Sequence, residues 1–158
     1  MSTNANYKQM IHIHQHHVGT LMRRMSNDLR SRGNRHDISK FSGIEATIGG
    51  MNYEEYSKIN VLHPNASDVQ EYNEKTKAAL IEHYKLNDHH IEHFENGLSD
   101  MSLVQLAELI CDSVAHLTER GYTPTECVCE IENQFKKYES SDDIVSIVKN
   151  TVKYLCGE

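Results

Sequence analysis

The chain has 158 residues, enough for one domain with its own core, and its 38% apolar content is that of a folded protein. Sixteen basic against 23 acidic residues give a formal charge of -7, which argues against broad non-specific binding to DNA or to an anionic membrane. A small phosphate substrate is still admitted, because a bound metal reverses the local field.

No Trp, two Pro and eight Gly leave room for long helices. Met1 to Gln9 is polar, so no secretory leader is expected, and no apolar run of about eighteen residues exists to cross a membrane. The first predicted helix covers about Tyr7 to Leu29, with Met10, Ile13, His17, Leu21, Met25 and Asp28 on one stripe and Val18, Met22 and Leu29 widening it. Ser31 to Arg35 is a predicted turn. His36-Asp37 follows, and Asp37 to Phe41 suits a short helical segment closed by Ser42-Gly43. Tyr53, Tyr56, Ile59 and Leu62 fit a short helix ending before Pro64.

A long helix is predicted from about Val69 to Phe94, stopped by Gly97. Ser99-Asp100 starts the next, which runs to Glu119 with Leu103, Leu106, Ile110, Val114 and Leu117 as its core stripe. Arg120-Gly121 is its stop signal. Thr123-Pro124-Thr125-Glu126 opens a helix carrying Val128, Ile131, Phe135 and Tyr138, and Ser140 or Ser141 caps a last one carrying Ile144, Val145, Ile147, Val148, Val152 and Leu155. No stretch alternates long enough for a strand. The expectation is an all-α, single-domain bundle of five to seven helices over 1-158, with a metal-site core over about 10-117 and C-terminal helices over about 125-156. The stripes from Val128 to Leu155 can cover that core or build a homodimer interface, and patterning does not choose. Cys111, Cys127, Cys129 and Cys156 are badly spaced for a thiolate cage and read as small buried hydrophobes in a reducing cytosol.

Eleven histidines dominate the chemistry. His12, His14, His16 and His17 form one cluster, His36-Asp37 an adjacent pair, and His83, His89, His90 and His93 another cluster, with Asp112 following in an apolar stretch. Imidazole and carboxylate are the side chains that hold divalent transition metals, so this ordered run is a candidate metal centre; ordinary polar surface is the plainer reading. His17, on an apolar stripe, is expected to point inward as a ligand or as a hydrogen-bonded core residue. His36 and Asp37 can face one ion together, the Asp37 charge offsetting the cation. Asp112 borders a buried face, with Glu108 and His116 one turn away, and needs a metal or a basic partner such as Arg23, Arg24 or Lys40. On a continuous helix His83 and His90 stand about 10 Å apart, which suits two ions, or one ion and a substrate phosphate, better than one shared ion. His89 and His93 form a second pair one turn apart. Lys40 is placed to meet a phosphate oxygen, Glu45 to orient water or ligate, and Arg24 to add positive charge.

The ordered set His17, His36-Asp37 and Asp112 resembles the minimal signature of the HD-domain metal-dependent phosphohydrolases, a helical superfamily acting on nucleotides and phosphodiesters. Two-metal members add two histidines, which His83 and either His89 or His90 match in order. The strings His36-Asp37-Ile38-Ser39-Lys40-Phe41 and Asn87-Asp88-His89-His90-Ile91-Glu92 also look like those of a family of small phage and bacterial proteins, a likeness that supplies no activity. The resemblance implies an HD-domain-like fold with one or two divalent ions (Mn, Fe, Zn, Mg, Ni and Co not distinguished) on His17, His36, Asp37, His83, His90 and Asp112. It further implies hydrolysis of a nucleotide or small phosphodiester by metal-activated water, with Asp37, Lys40, Glu45 and Arg24 as the catalytic set. The expected partner is a small phosphate-containing substrate rather than a membrane, and the expected location is the cytoplasm, the host's if the chain is phage-encoded. Two rival expectations stand beside it: a helical di-iron or other oxidative enzyme, and a non-enzymatic helical interaction protein.

Overall fold

The computed structural model describes residues 3–49 and 67–157. The predicted short helix at Tyr53 to Leu62 lies outside them. The described residues are all-α, with six α-helices, three short 3-10 turns and no strand. The chain folds as two units, Met1–His36 and Asp37–Glu158. No helix among the described residues is long and apolar enough to cross a membrane.

The first unit is essentially one helix, α1 (Thr3–Arg35), of 33 residues. It runs straight through the predicted turn at Ser31 to Arg35. One glycine, Gly33, is a modest helix penalty, and Arg32 and Arg35 sit in the last turn, where they favour the negative end of the helix dipole. Asp28 lies one turn before Arg32, 3.8 Å from its Nε, in the favourable acid-before-base order. A unit made of one helix has no interior. Its apolar stripe is accordingly exposed, Met10 at 67% and Leu21 at 62%. The expectation that His17 points inward is corrected for the same reason: it is exposed on α1.

The second unit begins with a 3-10 turn (Ile38–Phe41), then α2 (Gly43–Gly49) and α3 (Ser67–Leu86). Two 3-10 turns (Ile91–His93 and Gly97–Asp100) lead into α4 (Leu103–Glu119), α5 (Pro124–Lys137) and α6 (Asp142–Cys156). The last three helices start on strong caps. Ser102 with Gln105, and Thr123 with Glu126, form reciprocal capping boxes, and the Ser141 side chain accepts from Ile144 N. Leu109 and Ile110 of α4, Val128, Ile131 and Phe135 of α5, and Val145, Val148 and Val152 of α6 make the core, with Phe135, Val148 and Val152 fully enclosed. The C-terminal stripes therefore cover a core. Cys127 joins it, whereas Cys111 and Cys129 are exposed and Cys156 is half-buried, so the expectation of four buried thiols holds for one.

The long predicted helix from Val69 to Phe94 is shorter than expected. α3 ends at Leu86: the Asn87 N–H still reaches the His83 carbonyl at 3.0 Å and its side chain donates there too at 2.8 Å, but the Tyr84 carbonyl that the next helical N–H would use meets the His93 ring at 2.9 Å. Asp88 is then tied to α4, its Oδ2 accepting from Gln105 Nε2 at 2.7 Å. The fourth helix starts at Leu103 on Ser102, a few residues later than Ser99-Asp100 suggested.

Candidate metal centre

The early end of α3 lets the chain turn back on itself and carries His89 and His90 to His83. Asp37 meets them from the start of the second unit. Its backbone is left-handed, φ 52 and ψ 28, a conformation that aspartate tolerates better than most residues. Asp37 Oδ2 accepts from Lys40 Nζ at 2.5 Å, while Oδ1 lies 3.4 Å from His83 Nε2 and 3.5 Å from His89 Nε2. His83 Nε2 is 2.7 Å from His90 Nε2. The expected 10 Å separation of His83 and His90 is thus overturned, since the two do not share a helix. Asp37, His83, His89 and His90 each offer a ligand atom, all within 4.8 Å of one another, and His83 and His89 are 5% and 2% exposed.

Around these four a ring of polar side chains sets their orientation. His83 Nδ1 lies 2.8 Å from Glu45 Oε1. Ser39, itself buried, donates to Glu45 Oε2 at 2.6 Å and accepts from Asn87 Nδ2 at 2.8 Å. The two amide hydrogens of Asn87 are taken by Ser39 Oγ and the His83 carbonyl, which leaves the His83 Nδ1 proton to Glu45. On the other side His89 Nδ1 lies 3.4 Å from Glu108 Oε1. A neutral imidazole with its proton on Nδ1 presents a lone pair on Nε2, and a carboxylate on the far nitrogen is the usual device for fixing that tautomer in a metal-ligating histidine.

The donor set fits a cation. A tetrahedral shell with bonds of about 2.1 Å places neighbouring donors about 3.4 Å apart, close to both separations from Asp37 Oδ1. The His83–His90 contact is shorter and would open by some tenths of an ångström. Charge points the same way: Asp37, Glu45 and Glu108 are 10–12% exposed at the side chain, with Lys40 one ion-pair partner of Asp37. Carboxylates so buried are costly unless cations accompany them. A buried His/Asp cluster that can hold a metal ion is therefore present.

His83 and His90 also line a cavity of about 890 Å³. Three helices give it one face each: Thr76, Leu80, His83 and Tyr84 from α3; Leu109, Asp112, His116 and Leu117 from α4; Glu130, Asn133, Gln134 and Lys137 from α5. The spacing of three and four within each set puts it on a single helical side. Lys40 and Glu45 also line the cavity. Burial pushes the His90 imidazole down to about 4 from its ordinary 6.5, with His89 and His83 adding to the effect and Asp112 and Asp37 opposing it. A base whose pKa is depressed on folding stabilises the fold above its unfolded pKa and loses that contribution as pH falls through the folded value. Chelator-treated protein should therefore lose stability between pH 6.5 and about 4, by of order 1–2 kcal/mol once the half-exposed ring is discounted. Melting curves across that range should be shallower for His90→Gln.

The remaining sequence candidates divide by unit. His17 and Arg24 are exposed on α1, and the four-residue cluster forms without them. His36 closes the first unit, next in sequence to Asp37. Asp112, half-buried on α4, offers an oxygen within 4.8 Å of a His89 ligand atom. The expected His89–His93 pair does not form: His89 is in the cluster, while His93 is exposed with Nδ1 2.9 Å from the Tyr84 carbonyl oxygen. Glu108 and Ser39 were the residues that sequence reasoning left without a role at the site. A carboxylate one turn before Asp112, beside the apolar stripe of α4, is the signal for Glu108.

An all-α chain whose helices gather a buried histidine–carboxylate cluster beside an open cavity is the class these observations define. By sequence it belongs to a family of unknown function, DUF5662, whose family model matches residues 3–154. No curated protein and no solved structure matches it.

Proposed function

We propose that the cluster binds a divalent metal ion and that the protein is a metal-dependent phosphohydrolase acting on a nucleotide or a small phosphodiester. The observation that carries this reading is the convergence of Asp37 Oδ1 with the ring nitrogens of His83, His89 and His90, two of which, His83 and His90, line a cavity. Asp112 is proposed as a further ligand through its approach to His89. The set Asp37, His83, His89, His90 and Asp112 keeps only part of the HD-like order, because His17, the first member of that signature, is exposed on α1. A divalent ion held there would supply a nucleophile by acidifying a coordinated water toward neutral pH. Glu45 and Glu108 orient two of the imidazoles. Lys40 neutralises the outer oxygen of Asp37 and, lining the cavity, offers its charge to a phosphoryl oxygen.

Metal analysis of untagged protein tests the reading first. At least one divalent ion per chain is expected, and chelation should lower the stability by about 2.7 kcal/mol relative to protein at a metal concentration of a hundred times Kd. Phosphate release from a panel of phosphoesters should then depend on the metal added back. Absence of metal with a melting point indifferent to chelator would leave the interaction-protein reading. Bound iron with an oxygen-dependent chromophore would favour the oxidative enzyme.

A further inference from the structure

Inorganic phosphate alone would leave most of an 890 Å³ cavity unused; spaces of this size hold a whole small molecule, and a few polar groups in them fix its orientation. Those polar groups lie on α5. Its inner face (Cys127, Val128, Ile131, Phe135) is buried in the core, so the helix is rigidly seated. Its other face turns Asn133, Gln134, Lys137 and Tyr138 into the cavity. Gln134 Nε2 donates to the Tyr138 hydroxyl at 2.9 Å, and the Tyr138 ring stands edge-on to Phe135 at 5.9 Å. Tyr84, across from α5 on α3, packs on His90 with ring centroids 5.0 Å apart. Two positioned aromatic rings therefore line the space together with Asn133, an exposed amide on the cavity wall that makes no side-chain hydrogen bond among the described residues.

We propose that this face of α5 is the specificity wall of the cavity, and that Asn133 hydrogen-bonds the organic group of an ester whose anionic end sits at the histidine cluster. The group it fits is a flat ring with hydrogen-bonding edges: Tyr84 and Tyr138 supply aromatic surface and Asn133 supplies both a donor and an acceptor. Placing the anion at the cluster rests on the phosphohydrolase reading, whereas binding of the ring does not. The plain alternative is that Asn133 is a solvated surface amide, and the two predict different binding series.

The test is calorimetric binding to the full-length, Mn-loaded protein of inorganic phosphate, phenyl phosphate and adenosine 5′-monophosphate, with adenosine measured in excess chelator. Affinity should rise in that order, the nucleotide binding at least tenfold more tightly than phosphate. Asn133→Ala should remove most of that gain while leaving phosphate affinity, metal content and melting temperature unchanged, and adenosine should bind without metal with the same dependence on Asn133. Equal affinities for the three anions, or an Asn133→Ala variant that binds the nucleotide like the parent, would overturn the proposal. Should the protein take up no metal, the phosphohydrolase reading fails and the adenosine arm alone decides the wall: saturable binding weakened by Asn133→Ala supports it, and no binding removes it.

Discussion

Asp37→Asn is expected to lower divalent-metal affinity by more than about a hundredfold, since altering the partners of metal ligands already costs 10–100-fold. The substitution isolates charge from shape. Asparagine is nearly isosteric and is among the few residues that accept a left-handed backbone, so the turn before Ile38 should persist. Its amide can donate where the carboxylate could not, toward the lone pairs of His83 and His89 that lie 3.4 and 3.5 Å from Oδ1. Lys40 loses an ion pair in which its own side chain is 56% exposed, a contact worth little. In chelator the variant should thus melt at or slightly above the parent, whereas with saturating metal it should melt below it. Competition against a chromophoric chelator and paired melting curves read both signs. A variant that keeps parental metal affinity removes Asp37 from the ligand set, and one much less stable in chelator would make Asp37 a structural ion-pair partner.

Helical periodicity carried most of the fold. The stripes of α4, α5 and α6 and the caps at Thr123 and Ser141 are visible in sequence because each rests on interactions within one or two turns. The break after Leu86 is of another kind. His, Glu and Ile after it are compatible with helix, and the chain beyond α3 is held by contacts remote in sequence, Asn87 to Ser39 48 residues away and Asp88 to Gln105 of α4. Periodicity has no access to such a contact, so a string that reads as one helix becomes a helix and a returning loop. The composition of the cluster was legible for that reason and its geometry was not: His83, His90 and Asp37 stand out by residue type, but their distances depend on the turn. His17 illustrates the converse error. An apolar stripe shows which side of a helix seeks cover and not whether that unit contains any, and α1 alone has none.

The buried carboxylates allow the sharpest separation between a metal site and a set of internal ion pairs. If Glu45 and Glu108 accept Nδ1 protons from neutral His83 and His89, each Nε2 is a ligand and the acids act on the metal only through the rings. If instead the rings are imidazolium, the same distances of 2.8 and 3.4 Å describe ion pairs, and the cluster neutralises itself. Glu45→Gln and Glu108→Gln should each cost 10–100-fold in metal affinity under the first arrangement, with Glu45→Gln the larger because its contact is closer and is braced by Ser39. Stability in chelator should change little, since glutamine still offers an oxygen to Nδ1–H. Under the second arrangement both variants leave a buried imidazolium short of a counter-charge, and chelator-treated protein should lose several kcal/mol. Nitrogen chemical shifts of His83 and His89 in the parent distinguish the two protonation patterns directly, so each variant's affinity and melting point can be set against the tautomer that accounts for it.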